Sequence, residues 1–316
     1  MTDLPTTVSI QEEGPREGFQ IEPGPVATAD KVGFIEALAE TGLHHIQCVS
    51  FVDPKRVPGM ADAEEVARRI KHRTGVLYTA LWLNLRGFER AVKSMLDVAG
   101  SLQLSASETF SVRNTGRNTL ETLAEQRRLL DVYRRSNVAV DSAVVMTAFG
   151  CNFEGTIDPG RVRDCVGMLL DLANEFGITL RRLRLADTVG WANPNSIARV
   201  VGIVRERWPA LPLTLHLHDT RGAGLANALM GLQMGINSFD SSCAGLGGCP
   251  FAGHKGAAGN ICTEDLVFLC QEMGIETGIN LDALIECARM AEGIVGHPLP
   301  GKIMHAGSLS RFRQSA

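Results

Sequence analysis

The amino-acid sequence predicts an α/β protein of the TIM (β/α)8 barrel class with a C-terminal helical extension. Strand-like and helix-like segments alternate eight times along the 316-residue chain, and this alternation is typical of such a barrel. The length also exceeds the roughly 250 residues that a barrel commonly needs. A doubly wound sheet would usually carry a phosphate-binding glycine fingerprint after its first strand. Here the glycine-rich segment, residues 245–260, follows the last predicted strand.

Each predicted strand is short and apolar or alternating, and each predicted helix has apolar residues at helical spacing. The strands are predicted at 6–14, 44–51, 76–84, 101–107, 138–149, 181–190, 211–220 and 236–248. The helices that follow them are predicted at 27–42, 62–73, 87–100, 118–136, 159–177, 194–208, 224–235 and 263–274. Because no linker divides the chain, we predict one barrel catalytic domain over residues 1–275. Residues 276–316 are predicted as a helical extension and tail packed on the barrel.

Composition excludes several functional classes. Lys+Arg number 31 against 35 Asp+Glu, a net charge of −4, so no basic field attracts nucleic acid or an anionic membrane. The 8 cysteines form no CxxC pairs, which argues against a zinc ribbon or a disulfide framework and favours a reducing compartment. The N-terminus has no signal-peptide pattern, and no apolar segment reaches membrane length. We expect a soluble cytoplasmic protein.

The strongest chemical signal is the segment LPLTLHLHDT, residues 211–220. Its leucines alternate with polar residues at a period of two, so His216 and His218 leave a strand on the same face, near its carboxyl end. Two imidazoles in this position make half of a divalent-metal site. The alternative is a pair of core histidines satisfied by backbone partners. Because the two share a face and Asp219 follows, we interpret them as metal ligands.

Polar side chains collect where the predicted strands end, which is where barrel active sites lie. In chain order they are Arg16, Glu17, Gln20, Gln47, Ser50, Ser107, Glu108, Thr147, Cys151, Asp187, Thr188, His216, His218, Asp219, Cys249 and Asn260. Any one of them alone could be a helix cap or a loop polar group. Together they predict a catalytic centre, in which we expect substrate contacts from a subset: Gln20, Gln47, Ser107, Glu108 and Thr188.

The residue types indicate metal-assisted carbon–carbon chemistry. We predict that a divalent cation is held by Glu17, His216, His218 and the amide oxygen of Asn260, with positions left open for substrate oxygens. Hard oxygen ligands beside imidazole favour Mg²⁺ or Mn²⁺, with Zn²⁺ or Co²⁺ as alternatives. A cation that polarises a ketone or an alkoxide suits the making or breaking of a bond beside a carbonyl.

Two further residues fit the same chemistry. Arg16 can stabilise the oxygen of a developing enolate. Cys249 lies in a glycine-rich loop and can exchange a proton with the enolate carbon. The alternative is that Cys249 is a loop thiol with no catalytic role.

Several motifs resemble those of the hydroxymethylglutaryl-CoA lyase family. EEGPREGFQIE (12–22) resembles the family's E-V-G-P-R-D-G-L-Q-N-E, and SFVDPKRVPGM (50–60) resembles its S-F-V-S-P-K-W-V-P-Q-M. Further matches follow in order: SASETFSVRN (105–114), GCNFEG (150–155), LADTVG (185–190), LHLHDT (215–220) and GLGGCPFA (245–252). The resemblance runs roughly from residue 8 to residue 290 and implies a TIM barrel with retro-aldol lyase activity.

The resemblance also implies roles for single residues. His216, His218 and Asn260 match the family's metal ligands. The matching catalytic positions are Arg16, which steadies the enolate, Asp187, near the substrate hydroxyl, and Cys249, which acts on the acetyl-CoA carbon. We expect His216 to take part in catalysis as well.

Three departures from the family motifs suggest a sibling with an altered substrate or altered chemistry. Glu17 stands where the family has Asp, and Gln47 stands where its strand-two motif E-T-T-S-F has Glu. The third is GCNFEG (150–155), which replaces G-C-P-Y-E-G. Losing the strand-two carboxylate removes a proton-transfer group or a negative charge near metal and substrate.

The predicted function is therefore divalent-metal-dependent cleavage of a branched dicarboxylic 3-hydroxyacyl-CoA. The best single substrate is 3-hydroxy-3-methylglutaryl-CoA, which gives acetyl-CoA and acetoacetate. Alternatives are a citramalyl-CoA lyase or a lyase of longer branched hydroxyglutaryl-CoA, an enzyme condensing acetyl-CoA with a 2-oxo acid, and a catalytically silent metal-binding barrel. Lys55, Arg56, Arg113 and Lys255 are candidate contacts for the CoA phosphates. The apolar helix at 280–295 predicts a homodimer.

Overall fold

The computed structural model describes residues 4–248 and 258–313. Within them eight β strands alternate with helices, in the predicted order. The strands are β1 Ser9–Glu12, β2 His45–Ser50, β3 Leu77–Leu81, β4 Gly100–Ser105, β5 Val140–Met146, β6 Arg182–Ala186, β7 Leu213–His216 and β8 Ser238–Ser241. Each is shorter than its predicted segment, because the predicted segments also included residues of the adjoining loops.

All eight predicted helices are present within the described residues. The α helices are α1 Phe19–Ile21, α2 Thr28–Ala39, α3 Ala63–Arg69, α4 Leu85–Val92, α5 Glu108–Thr115, α6 Thr119–Arg135, α7 Pro159–Glu175, α8 Pro194–Arg207, α9 Gly224–Gln233, α10 Thr263–Glu272, α11 Leu281–Val295, α12 Ile303–Ala306 and α13 Ser310–Arg313. The prediction missed α5, which is separate from α6 because Gly116 ends it in the left-handed conformation at φ 73°. Asn118 then starts α6 with a capping box.

The chain divides into two compact units, named here by their order along the chain. The central unit consists mainly of Val98–Phe239. It contains β4 to β7 and the first half of β8, and its strands run parallel in the order β8-β7-β6-β5-β4. Register pairs such as Val145 with Leu185 join fully buried aliphatic side chains. Burial on both faces of a parallel sheet explains why these strands read as apolar runs.

The flanking unit consists of Thr6–Asp97, Asp240–Gly248 and the chain from Ala258 onward. It contains β1 to β3 and the second half of β8, in the order β3-β2-β1-β8. The C-terminal helix α11 packs against α2 in this unit: a Cβ placed on Gly33 would lie 3.5 Å from the terminal methyl of Met290. The predicted domain boundary at residue 275 falls between α10 and α11 and stays a prediction.

Most apolar residues of α11 are buried within the flanking unit, although Met290 is exposed. The apolar character of this helix is therefore explained largely without a dimer, which stays a prediction. Among residues 4–248 and 258–313, none of the helices combines the length and apolar character that a membrane span requires.

A fully buried carboxyl group lies at the start of α10. Glu264 Oε2 accepts a hydrogen bond of 2.9 Å from the backbone nitrogen of Ala244, while Oε1 has no hydrogen-bond partner among the described residues. Burial, together with the nearby charges of Asp265 and Glu12, raises the pKa of Glu264 from 4.5 to about 8. The folded protein therefore keeps this carboxyl protonated at neutral pH.

This raised pKa predicts a pH-dependent loss of stability. The unfolded carboxyl releases its proton near pH 4.5 and the folded one near pH 8, so rising pH favours the unfolded state across that window. Glutamine imitates the protonated acid. We therefore expect Glu264→Gln to match the wild-type melting temperature at pH 5 and to exceed it at pH 9.

Thermal melts at pH 5, 7 and 9 measure this. The matched control is Glu272→Gln on the same helix, whose exposed carboxylate has a lowered pKa because Arg313 donates to it. The control should gain nothing at pH 9. A wild-type melting temperature that stays level with that of Glu264→Gln from pH 5 to 9 would contradict the assignment.

Candidate active site

In the flanking unit, the turn after β1 places two charged side chains at the strand's carboxyl end. Residues Gly14–Gly18 form a single π-helical turn with Pro15 as its second residue, and within it Arg16 and Glu17 are both buried. A Cβ on Gly14 would lie 2.6 Å from the Glu12 carboxylate, so only glycine fits the close approach at the start of this turn.

The guanidinium of Arg16 is fixed from two sides. Its Nε donates a hydrogen bond to Oε1 of Gln47 on β2. Its Nη2 donates to the Glu13 carboxylate and lies 3.0 Å from the Glu17 carboxylate. Gln11 Nε2 in turn donates to Glu13 Oε1 at 2.7 Å. Among the described residues none hydrogen-bonds Nη1 of Arg16, which leaves that edge of the guanidinium for a substrate oxygen.

Glu13 is a residue that the reasoning from sequence did not select. It is buried beside Arg16 and lies just past the end of β1. A signal was present in the motif, because the family sequence quoted above has valine at this position. A carboxylate in place of an apolar side chain next to an arginine indicates an ion pair.

Asn260 and Glu17 lie on either side of Gly247. A Cβ on this glycine would be 3.0 Å from Glu17 Cγ and 3.2 Å from Asn260 Nδ2. Asn260 is completely buried, and its Nδ2 donates to Ser242 Oγ at 3.2 Å. Its Oδ1 has no hydrogen-bond partner among the described residues. A buried amide oxygen without a partner, close to a carboxylate, fits a ligand pair for a hard cation.

In the central unit, two imidazoles face each other at the end of β7. His216 Nε2 and His218 Nε2 are 3.2 Å apart, and both rings are buried. The spacing confirms that both side chains lie on one side of the strand. One nitrogen can donate a proton to the other, or both can bind one cation. The ligand chemistry of a divalent metal fits this pair.

Asp187 lies directly after β6 in the same unit. Its Oδ1 accepts hydrogen bonds from the backbone nitrogens of Trp191 at 2.7 Å and Ala192 at 3.1 Å. Its buried Oδ2 has no hydrogen-bond partner in the described part of the chain. Burial raises the pKa of Asp187, and the charges of His218 and His216 partly offset this. A carboxylate with raised proton affinity and one open oxygen is suited to accept a proton.

The other predicted substrate residues already make local contacts. Gln20 accepts a hydrogen bond from Ser50 Oγ at 2.8 Å in the flanking unit. The remaining three lie in the central unit: Thr188 Oγ1 accepts from the backbone nitrogen of Thr147, directly after β5, Ser107 caps α5, and Glu108 accepts from Thr119. Their substrate contacts stay predictions. Cys249 lies outside the described residues.

The sequence and the fold were compared with known proteins. A family model described as HMGL-like matches residues 7–291. A hydroxymethylglutaryl-CoA lyase of Bacillus subtilis is 40% identical over 298 residues, covering 94% of this chain and 96% of that protein. The crystal structure of a hydroxymethylglutaryl-CoA lyase from Pseudomonas aeruginosa is similar with a TM-score of 0.88 and 35% identity, over 99% of both chains.

A further similar structure is an HMG-CoA lyase from Acinetobacter baumannii in complex with coenzyme A and 3-methylmalate. It has a TM-score of 0.86 and 39% identity, and the match covers 98% of each chain. Such agreement along nearly the whole chain confirms the predicted TIM barrel class.

Gly247 offers a direct test of the Glu17 and Asn260 pair. Its φ is +101° and an added Cβ would meet both side chains, so we expect Gly247→Ala to weaken binding of Mn²⁺ at least ten-fold. Isothermal titration of the metal-stripped protein measures this affinity. Gly75→Ala is the matched control, because Gly75 has a φ of +87° with no atom within 4 Å of the added Cβ.

Both variants should lose stability through the left-handed backbone, at a cost of about 1 kcal/mol. Only Gly247→Ala should lose metal affinity. Equal affinities of the two variants for Mn²⁺ would show that neither Glu17 nor Asn260 contributes to the metal site.

Proposed function

This chain belongs to the HMGL-like family, whose model spans residues 7–291, and we propose that it is a divalent-metal-dependent carbon–carbon lyase. The proposed reaction is retro-aldol cleavage of 3-hydroxy-3-methylglutaryl-CoA to acetyl-CoA and acetoacetate. The observation that carries the proposal is the pair of buried imidazole nitrogens of His216 and His218, 3.2 Å apart at the end of β7. The lyase names of the relatives and the coenzyme A in a similar structure support the same substrate class.

The proposed metal ligands are Glu17, His216, His218 and Asn260. Imidazole nitrogens beside a carboxylate and an amide oxygen suit Mg²⁺ or Mn²⁺, and Zn²⁺ or Co²⁺ remain alternatives. When bound, such a cation polarises the oxygens of the substrate around the bond to be cleaved. The amide oxygen of Asn260 supports this assignment, because it is buried and no described residue hydrogen-bonds it.

The protein's own residues handle the protons and the developing charge. Asp187, with its raised pKa, accepts the proton of the substrate's 3-hydroxyl, and His216 takes part in this transfer. As the carbonyl of acetoacetate forms, the bond between C2 and C3 breaks and its electron pair passes to the acetyl-CoA enolate. The open Nη1 edge of Arg16 donates a hydrogen bond to the enolate oxygen. Cys249 then delivers a proton to the enolate carbon.

Substrate contacts are proposed for the remaining selected residues, which are Gln20, Gln47, Ser107, Glu108 and Thr188. The partner is an acyl-CoA, and the proposed location is the cytoplasm, where the seven free cysteines of the described residues would stay reduced. A homodimer remains a proposal from the sequence.

A second substrate class has a specific observation in its favour. Gln47 replaces a glutamate of the family motif, and its amide oxygen accepts a hydrogen bond from Arg16. A neutral group on the β2 side of the arginine changes where the negative charge lies around it, which favours citramalyl-CoA or a longer branched hydroxyglutaryl-CoA as the alternative. The condensing enzyme and the silent metal-binding barrel are retained as alternatives without such an observation.

The reaction and the metal can be tested together. The protein is stripped of metal, supplied with 3-hydroxy-3-methylglutaryl-CoA, and assayed for acetyl-CoA and acetoacetate before and after Mg²⁺ or Mn²⁺ is restored. We expect turnover to fall at least 100-fold on stripping and to return with the metal. If the protein binds metal but releases neither acetyl-CoA nor acetoacetate, the proposed substrate becomes citramalyl-CoA or a longer branched hydroxyglutaryl-CoA. These substrates are assayed in the same way.

The loop cysteine separates an enzyme from a silent metal-binding protein. We expect Cys249→Ala to lower kcat at least 100-fold, because no other thiol is proposed to protonate the enolate carbon. Cys270→Ala, a buried thiol on α10, is the matched control and should keep kcat within about two-fold. Equal turnover of the two variants would remove Cys249 from the mechanism.

A further inference from the structure

We propose that Glu13 is a positioning residue that holds Arg16 in place. In this chain it supplies the buried carboxylate that the family motifs place on the second strand. Gln47, which occupies that second-strand position, serves Arg16 as a neutral acceptor. The carboxylate has thus moved from the second strand to position 13. The effect of this exchange on catalysis rests on the proposed lyase function, whereas the exchange itself concerns only how Arg16 is held.

The contacts assign each partner a separate nitrogen of the guanidinium. Gln47 Oε1 accepts from Nε and the Glu13 carboxylate accepts from Nη2. Glu13 is itself held, because Gln11, two residues earlier on the same face of β1, donates to its other oxygen at 2.7 Å. The guanidinium is planar and rigid, so fixing Nε and Nη2 also fixes the direction of Nη1. Glu13 thus orients the one edge of Arg16 that no described residue uses.

The motifs show two coupled changes around this arginine. The family sequence E-V-G-P-R-D-G has valine where this chain has Glu13, and E-T-T-S-F has glutamate where this chain has Gln47. A carboxylate is gained at one position and lost at the other. The carboxylate next to the arginine persists as Glu17. Both arrangements therefore combine one arginine with two carboxylates, and the net charge of the group stays at −1.

Burial makes this balance of charge necessary. The Arg16 and Glu13 side chains are 11% and 3% exposed, so water cannot compensate for a missing partner. Losing one member of a buried ion pair leaves an uncompensated charge and is strongly destabilising. A second-strand glutamate could change to Gln47 only if another carboxylate came close to Arg16, and Glu13 meets that requirement.

The test restores the family arrangement in two steps. Four proteins are compared: the wild type, Glu13→Val, Gln47→Glu and the double variant Glu13→Val/Gln47→Glu. Glu13→Val leaves Arg16 one carboxylate short, and Gln47→Glu adds a third. We expect each single variant to lower kcat at least ten-fold while KM changes less than three-fold, because Arg16 acts on the enolate. The double variant should recover kcat to within three-fold of wild type.

Asp62→Asn is the matched control. Asp62 forms an ion pair of 2.6 Å with the buried Lys31 in the same unit, and its carboxylate accepts from Lys31 and Thr28 rather than from Arg16. Its variant should lose thermal stability and keep kcat. A Glu13→Val protein that keeps kcat as well as this control does, or a double variant no more active than the singles, overturns the positioning role.

A second measurement does not depend on turnover. Urea unfolding of the same four metal-free proteins should show that each single variant has a lower midpoint and that the double variant regains at least half of the loss. If the double variant instead loses the sum of the two single-variant losses in midpoint, the proposed exchange of carboxylates is wrong. If the wild type cleaves none of the acyl-CoA substrates while the double variant regains stability, the proposed function fails and the role of Glu13 in holding Arg16 stands.

Discussion

The requirement to neutralise the buried guanidinium of Arg16 governs much of the flanking unit. An isolated charge in a protein interior costs several kcal/mol even after relaxation, so Arg16 needs partners from its surroundings. The turn after β1 brings Glu13 and Glu17, and β2 brings Gln47. The π-helical turn Gly14–Gly18 makes this possible, because it places Arg16 and Glu17 within one short turn that starts directly after Glu13.

Much of the fold could be predicted from the periodicity of apolar residues. A parallel sheet is buried on both faces, so its strands are apolar runs, and glycines and helix caps mark where the elements begin and end. The predicted strands were too long because the residues that flank each strand continue its pattern into the loops, as Phe51 does after β2. His216 and His218 were found for a related reason, because a period of two must place them on one side. Helix α5 was missed because its start depends on Ser107 as a cap and its end on Gly116. Both are visible as residue types but ambiguous without the backbone.

The side-chain partners were harder to predict. Asp187 and Asn260 could be selected by their place in the motifs, yet the open oxygen on each follows from which groups come within hydrogen-bond distance. Glu13 was not selected, because a glutamate at the end of a strand usually reads as a solvated charge. Its burial beside Arg16 adds it to the candidate site. Motif letters thus identify reactive groups more readily than they identify the groups that orient them.

The longer ligand at position 17 has a structural explanation in the same unit. Glutamate is one methylene longer than the aspartate of the family motif. In an extended side chain, its carboxylate would therefore lie beyond the position that the aspartate carboxylate would occupy. Gly247 provides the space, because the Cγ of Glu17 lies only 3.0 Å from where a Cβ on this residue would be. The extra methylene lies against a backbone without a side chain. A carboxylate can therefore be kept beside Asn260 even though the side chain that carries it has changed length.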